Sequence, residues 1–319
     1  MKIPTVSIGL PVYNGSNYLR EVLDSILSQT LIDFELIVSD NGSTDDTEAI
    51  CRSYAEKDSR IRFHRNAENL GAAWNFNQVF HLARGKYFQW ACHDDVWTST
   101  LLERYVQVLD HMSDVVLCYS ITAYINEHGK PIRRVITRPC FQDKRPHQRF
   151  RSFLKYHIHP NECNPVLGLF RASILEKSPL IGSYPASDMI LLGEIILHGE
   201  FHEIPEYLFL RRDHALTSVR ANPDWENRVV WFNPSRKGKI QMPRWRWFSE
   251  WTKSIHRSPI GMFERIKCFV ELCDWAKWNR SEMLCEMKHG VKEWIHPLHQ
   301  QENDHNHVSD HRILKWEKR

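Results

Sequence analysis

The 319-residue chain predicts an α/β fold, an αβα sandwich on a mostly parallel sheet with a helical extension at its C-terminal end. Three observations carry that expectation. Short β-branched or aromatic runs alternate with amphipathic stretches through the first 120 residues. The runs are apolar throughout, as strands buried on both faces are. Polar, turn-forming clusters follow the first, second and fourth runs, at the strand ends where ligands collect in such sheets.

Each element has its own reason. "TVSIGLPV" is a β-branched run and the first strand. "NYLREVLDSILSQ" sets Leu19, Val22, Leu23, Ile26 and Leu27 on one helical face. "FELIVSD" is a short buried strand that ends at Asp40. "STDDTEAICRSYAEK" opens with Ser43 and Asp46 at capping-box spacing and acidic residues in the first turn. "IRFHR" is a strand, "AAWNFNQVFHLA" a helix and "KYFQWA" a strand. "TSTLLERYVQVLDHM" is a helix with Leu101, Leu102, Tyr105, Val108 and Leu109 inward, and "VVLCYS" is the next strand. A hairpin around His128–Gly129, a short helix in "RFRSFLKYHI" and a strand turning into a helix in "NPVLGLFRASIL" follow. A helix then starts at Ser187 or Asp188 and ends before Gly199, and "EYLFLRRDH" is a strand. From residue 216 on, strand signals stop and tryptophan-rich helical stretches take over.

Composition narrows the function. Apolar residues are 42% of the chain and charged residues 25%, ordinary globular values. A net charge of +3 is too small for a nucleic-acid binder on bulk charge. Eight cysteines show no CxxC pair, which reads as free thiols in a reducing, cytoplasmic compartment. "MKIPTVSIGLPVYN" lacks a small-residue cleavage site, so it does not read as a signal peptide, and no stretch of 18 apolar residues predicts a membrane-spanning helix.

The chemistry concentrates in "CHDDVW", where Asp94 and Asp95 stand side by side after a buried strand. Paired carboxylates serve as an acid and base, or hold a hard cation such as Mn²⁺ or Mg²⁺ that bridges phosphate oxygens. Capping of the following helix is the bland alternative, and these six residues alone leave both readings open.

"VSIGLPVYNGSNYLREVLDSILSQTLIDFELIVSDNGSTDDT", "NLGAAWNFN" and "ARGKYFQWACHDDVW" resemble family 2 nucleotide-sugar glycosyltransferases from residue 5 to about 120, and a weaker resemblance runs through "NPVLGLFRASIL" and "SDMILLGEI" to "RRDHALTS". That resemblance implies a GT-A fold, a Rossmann-like αβα sandwich, and transfer of a sugar from a nucleoside diphosphate donor with inversion. It implies a nucleotide pocket lined by Pro11, Tyr13 and Asn14, with Asp40, flanked by Asn41, bonding a base expected to be uracil. Asn69, Gly71 and Asn77 would shape the loop and helix beside the ribose and diphosphate. Asp94 and Asp95 would hold the metal and diphosphate, with His214 reaching one or the other and Arg211 and Arg212 neutralising the leaving phosphates. Asp188 matches the position of the catalytic base, with Glu194 as runner-up and helix capping as the alternative for Asp188. One departure stands out: many relatives carry an aspartate where this chain has Cys92. A thiol cannot accept the ribose hydroxyl bonds that a carboxylate does, which keeps a degenerate sugar-nucleotide-binding protein in view. A sugar nucleotidyltransferase is the other rival, but "PVYNGSNYL" lacks the Gly-rich, basic loop it needs.

The expected organisation is a donor half over residues 1–120, an acceptor half over 121–217, a Trp-rich basic extension over 218–298 and a polar tail over 299–319. The resemblance implies a saccharide or lipid-linked acceptor, which the sequence itself does not identify. Residues 236–280 carry 11 Lys/Arg against 4 Asp/Glu, with five interleaved tryptophans. A helix there, with Pro259 in its first turn and Phe263, Ile266, Val270 and Cys273 at helical spacing, reads first as packed on the catalytic domain. The alternative is contact with an anionic membrane, compatible with packing if only "PRWRWFSEW" touches lipid, and nucleic acid is disfavoured. His299, His305, His307 and His311 read as part of a solvated tail rather than a metal site.

Overall fold

The computed structural model describes residues 3–134, 141–156, 164–239 and 241–295. Cys140, Cys163 and the four tail histidines lie outside these residues. The strands are β1 (Val6–Val12), β2 (Phe34–Asp40), β3 (Ile61–Arg65), β4 (Tyr87–Trp90), β5 (Val96–Trp97), β6 (Val115–Ile125), β7 (Pro131–Arg134), β8 (Leu169–Arg171) and β9 (Glu200–Arg212). The first helices are α1 (Leu19–Leu27), α2 (Thr47–Ala55), α3 (Ala72–His81), α4 (Leu101–His111), α5 (Pro146–Tyr156) and α6 (Ala172–Leu175). They are followed by α7 (Ser187–His198), α8 (Ser218–Ala221), α9 (Trp225–Phe232), α10 (Pro243–Arg257), α11 (Met262–Trp278) and α12 (Arg280–Ile295).

All described strands join one sheet in the order β3-β2-β1-β4-β8-β6-β9-β5, with β7 paired to β6. The long strands run parallel, β3-β2-β1-β4 in one block and β6-β9 in another. The antiparallel members β5, β7 and β8 are two to four residues long. β1 and β2 are buried along their whole length, as their unbroken apolar runs require. Pro11 fits inside β1 because the β4 pairing has already stopped at Gly9–Trp90, so its missing N–H breaks no ladder bond on that side. The expected division at 120 falls inside β6, which ties the two halves into one sheet.

Glu35 fastens the amino ends of the first strands. Its carboxylate is 4% exposed and accepts the Ser7 hydroxyl at 2.6 Å, Arg62 at 2.8 Å and Arg84 at 2.6 Å. Those contacts join β1, β2, β3 and the turn before β4, and leave the opposite, carboxyl ends for the polar loops.

Two local expectations change. No capping box forms at α2: the Ser43 hydroxyl instead accepts the Asn14 backbone N–H at 2.8 Å, and Asp45 accepts the Thr47 N–H at 3.0 Å. Ser43 is thus spent on tying the first polar loop to the second. In α4, Val106 is buried and Val108 only half-buried, because the helix is rotated slightly from the face read in sequence.

The C-terminal helices pack on the sheet body. α7 is buried almost all round, which its apolar sequence demands. α10 lies against it, with Trp251 fully buried between Phe150 at 6.3 Å and Trp275 at 5.1 Å. Gly193 makes that approach feasible: a Cβ there would sit 2.4 Å from the Trp251 indole nitrogen. Pro259 precedes α11 rather than entering its first turn, where Gly261 is the N-cap.

Glu35 supplies a pH test. Burial pushes its carboxyl up, but the bonds from Arg84, Ser7 and Arg62 more than offset that and hold it below the usual value. A depressed folded-state pKa contributes stability above the unfolded value of ~4.3 and loses it as pH falls through the folded value. Glu35→Gln is expected to be about 1–3 kcal/mol less stable than the native chain at neutral pH. The gap in urea midpoint should close on acidification below pH ~4; a gap that stays constant would show that the Glu35 charge contributes nothing.

Candidate active site

Asp94 and Asp95 stand in the loop between β4 and β5, at the carboxyl end of the parallel block. β9 brings them their partners. The Arg212 backbone N–H donates to Asp95 Oδ1 at 2.9 Å. The Arg212 guanidinium donates through Nε to the Asp94 carbonyl at 3.0 Å, through Nη1 to the carbonyls of Asn126 and Glu127, each at 3.2 Å, and through Nη2 to Glu21 at 2.6 Å. It also lies 4.6 Å from the Tyr18 ring centroid. Arg212 is 2% exposed, so it braces the acid loop from beneath and does not face a leaving diphosphate as expected. Arg211 is nearer that role: its charge pulls both aspartates down, while its Nη1 bonds Asn164 at 2.5 Å.

His214 Nε2 lies 3.0 Å from Asp94 Oδ2, and its Nδ1 accepts the Leu216 backbone N–H at 3.2 Å. A backbone N–H can only donate, so Nδ1 is the acceptor and the proton resides on Nε2, donated to Asp94. In this arrangement Nε2 is engaged with Asp94 Oδ2, so His214 orients that carboxylate. Neither aspartate caps α4, whose N-cap is Thr100, which removes the bland alternative.

The two carboxyls are pushed apart. Burial, and next the charge of Asp94, push Asp95 up to about 7. Burial raises Asp94 too, but the His214 bond and the charges of His93, His214 and Arg211 more than offset it and leave it below the ordinary value. The Cys92 thiol is held well above its usual range by burial and by both aspartates, so it remains a neutral S–H. The ligand atoms of Cys92, Asp94 and Asp95 lie within 4.8 Å of one another. Two carboxylate oxygens suit Mn²⁺ or Mg²⁺, whereas a protonated thiol does not; the donor set fits a hard cation on the aspartates.

The expected nucleotide residues build the walls of the neighbouring loops. Tyr13 is exposed and free to meet a ligand face. Asn14, at φ 50°, accepts the Thr44 N–H at 2.9 Å and so joins the loops after β1 and β2. Asp40 is fully buried and accepts the Ser43 N–H at 2.9 Å and Arg65 at 2.6 Å. Asn41 donates to Asn69 at 2.9 Å and to the Gly71 carbonyl, and accepts from Asn66 and Leu70. Its side chain is consumed in shaping the 66–71 loop rather than presented to a ligand. Asn69 also accepts the Gly71 N–H at 2.9 Å. Gly71, at φ 89°, is required twice over, because a Cβ would lie 2.7 Å from the Phe232 carbonyl. Asn77 exchanges two bonds with the Ile181 backbone, at 2.9 and 3.0 Å, so it braces the loop leading to α7 and does not sit beside a ribose.

Sequence reasoning missed Arg65, Asn75, Tyr18 and Glu21. Arg65 had a legible signal: it ends β3 as Asp40 ends β2, and the two residues are paired in register. Asn75 accepts the Ser39 hydroxyl at 2.6 Å from inside an otherwise apolar helix face, which nothing in the sequence singled out.

Asp188 lies in the first turn of α7, half-buried, and its Oδ1 accepts the Met189 N–H at 2.9 Å. The N-cap is Ala186, with a left-handed φ of 61°, so Asp188 is not the cap. α7 is joined through Gly199 directly to β9, the strand that ends at Arg212. Glu194 is 1% exposed and bound to Ser254 at 2.7 Å and to Arg257. That pairing fixes α10 on α7 and disposes of Glu194 as a base.

Residues 7–177 match the family described as glycosyl transferase family 2. The chain belongs to that family. It is 40% identical over 118 residues to an uncharacterized glycosyltransferase of Rickettsia prowazekii, covering 36% of each chain. It is 31% identical over 179 residues to an uncharacterized glycosyltransferase of Methanocaldococcus jannaschii, covering 56% of this chain and 59% of the relative. Each match thus spans less than two thirds of the curated relative. Its fold resembles S. aureus TarS 1–349 solved with UDP, at TM-score 0.55 and 15% identity over 96% of this chain and 94% of that one. It also resembles the mannosyltransferase PcManGT of Pyrobaculum calidifontis solved with GDP-Man and Mn²⁺, at TM-score 0.51 and 16% identity over 93% and 88%. The GT-A glycosyltransferase fold expected for family 2 is therefore the fold of this chain.

The basic extension differs from expectation. Trp251 is buried, and the Trp245 and Trp247 indoles donate to the carbonyls of Met283 at 2.9 Å and Pro185 at 3.3 Å. The "PRWRWFSEW" indoles are thus committed to the protein. Phe263, Ile266, Val270 and Cys273, the residues at helical spacing, face out, with Phe263 83% exposed; Cys268, Leu272 and Trp275 take the inner face instead. Helical spacing defines a stripe but cannot say which of two apolar stripes packs. No helix among the described residues is long and apolar enough to cross a membrane.

Proposed function

We propose that this chain is a metal-dependent, inverting glycosyltransferase that moves a sugar from a nucleoside diphosphate donor to a hydroxyl of a saccharide or lipid-linked acceptor, in surface polysaccharide or glycolipid synthesis. The observation that carries the reading is the acid pair of a family 2 fold, held at a strand end by Arg212 and His214 with its two pKa values separated. Chains of this fold have been seen with UDP and with GDP-Man and Mn²⁺; UDP is the first donor to test because Asp40 matches the uracil-binding position of the resemblance.

Asp94 and Asp95 would hold a divalent cation, which when bound neutralises diphosphate charge as it develops on the leaving group. The chain's own residues do the rest. Tyr13 and Asn14 border the nucleotide, with the Asp40–Arg65 pair behind them. Arg211 adds positive charge beside the diphosphate. Asp188 accepts the proton of the acceptor hydroxyl, whose oxygen attacks the anomeric carbon from the face opposite the departing nucleotide. The new C–O bond forms as the sugar–phosphate bond breaks, and the configuration inverts.

UDP binding measured by calorimetry is expected to be much tighter with Mn²⁺ than in chelator, and Asp95→Ala should remove that difference and abolish transfer. Equal affinity in chelator would sink the metal role and favour a binding protein without chemistry. The base has a paired test. Asp188→Asn should lower the transfer rate about 10²- to 10⁴-fold with donor affinity unchanged. Glu194→Gln should keep transfer but lose about 1–3 kcal/mol of stability, since it weakens a buried charge pair. The opposite pattern would move the base to Glu194.

Contact with an anionic membrane would fall on the outward stripe of α11, inside the segment with a net charge of +7 (11 basic minus 4 acidic residues over 236–280). Phe263→Ser with Ile266→Ser should abolish co-sedimentation with anionic vesicles, while Trp245→Ala leaves it intact. No sedimentation of the native chain at low salt would end the membrane reading.

A further inference from the structure

A cavity of about 240 Å³ opens between the segment that leads into α7 and the stretch that joins α9 to α10. Tyr184 and Pro185 form one wall, and Trp225, Arg236, Arg246 and Trp247 contribute to the others. These C-terminal residues lie beyond the span matched by the family. The volume falls just below the ~300–1,000 Å³ of drug-sized pockets, which suits one ring-sized unit of a larger ligand.

Its chemistry is specific. Trp225 and Trp247 meet edge to face at 6.3 Å, giving the cavity rigid aromatic walls. The Trp225 indole N–H is buried and has no hydrogen-bond acceptor among the described residues, an orphan donor that a bound oxygen would satisfy. Arg246 stacks 4.7 Å from the Tyr184 ring and pairs with Glu250 at 3.0 Å. Lys253 shares the same Glu250, at 3.1 Å. Arg236 has no ion pair among the described residues. The lining therefore carries an uncompensated positive charge beside aromatic faces. Apolar sugar C–H faces lie well on indoles, and a guanidinium takes a carboxylate or phosphate through two parallel bonds.

The place of the cavity matters as much as its lining. Pro185 accepts the Trp247 indole N–H and stands one residue before the left-handed Ala186 and three before Asp188. On the other side, Gly71 of the donor loop meets Phe232 and Pro234, two residues before Arg236. The cavity thus lies between the loop that shapes the donor side and the helix that carries the base.

We propose that this cavity is an acceptor subsite for an anionic saccharide, with a sugar ring against the indoles, its ring oxygens or hydroxyls meeting the Trp225 N–H, and its carboxylate or phosphate on Arg236 and Arg246. The assignment rests on the glycosyltransferase reading, so its test is binding without any donor. A uronic acid oligosaccharide, a sugar phosphate and a neutral methyl glycoside are titrated separately into the full chain and followed by tryptophan fluorescence and calorimetry. At least one anionic probe should bind about tenfold or more tightly than the neutral one, and whichever binds identifies a carboxylate or a phosphate as the recognised group. Arg236→Ala should weaken that probe about tenfold or more, and Trp225→Phe, which keeps an aromatic ring but loses the N–H, should weaken it several-fold. UDP affinity and the thermal unfolding midpoint should be unchanged in both variants. Equal binding of anionic and neutral probes, or native affinity in Arg236→Ala, overturns the subsite. Loss of UDP binding by the native chain, with the anionic probe still bound, would instead defeat the enzyme reading alone.

Discussion

Two adjacent carboxylates buried at the end of a strand need positive partners, and the fold is arranged to bring them. Arg212 reaches the acid loop with its backbone N–H and its guanidinium at once, and in the same act holds Glu21 of α1 and the turn between β6 and β7. A buried guanidinium with every nitrogen bonded is stable only where the surrounding backbone is fixed. The acid loop, the first helix and the hairpin are therefore registered on one side chain. His214, two residues on, fixes Asp94 from another direction. A cation bound by the aspartates would enter a site that is already held together without it.

The same economy governs the loops. Asn41 and Asn77 are amides whose donors and acceptors are used on other segments, Asn41 on the 66–71 loop and Asn77 on the Ile181 backbone. A short polar side chain saturated in this way makes a loop rigid at little cost in side-chain entropy. Asn77 does so between α3, which follows the donor loop, and the segment that leads to Asp188. Gly71 against Phe232 adds a second tie, from the donor loop to the C-terminal helices. The 66–71 loop, the segment leading to Asp188 and the C-terminal extension are thus linked by close contacts, an arrangement that would hold two substrates in alignment under the proposed function.

The parallel strands and first four helices were legible because burial on both faces leaves an apolar run and burial on one leaves a stripe. Asp94 and Asp95 stood out as adjacent acids after such a run, but those six residues left cation and cap both open, and only the resemblance of the flanking motifs favoured the cation. The roles of Arg212 and Glu194 were not legible. Each is a charged residue whose neighbour in space comes from an element far away in the chain, Asp95 across 117 residues and Arg257 across 63, and one sequence carries no record of such pairs. The outward stripe of α11 failed for a different reason. α11 has apolar residues on both sides, and only the position of α5 and α10 decides which side is covered.

Cys92 gains a physical account from this arrangement. Its thiol donates to Asp95, where an aspartate would add a third buried negative charge. Positive charge reaches the pair from Arg211 and, at Asp94, from His93 and His214, while Arg212 beneath the loop also serves Glu21. With two aspartates the burial already pushes one of them up to about 7. A third carboxylate at position 92 would have to be protonated or find a further cation. The neutral thiol avoids that third charge. A thiol at position 92 is therefore compatible with the buried pair of aspartates.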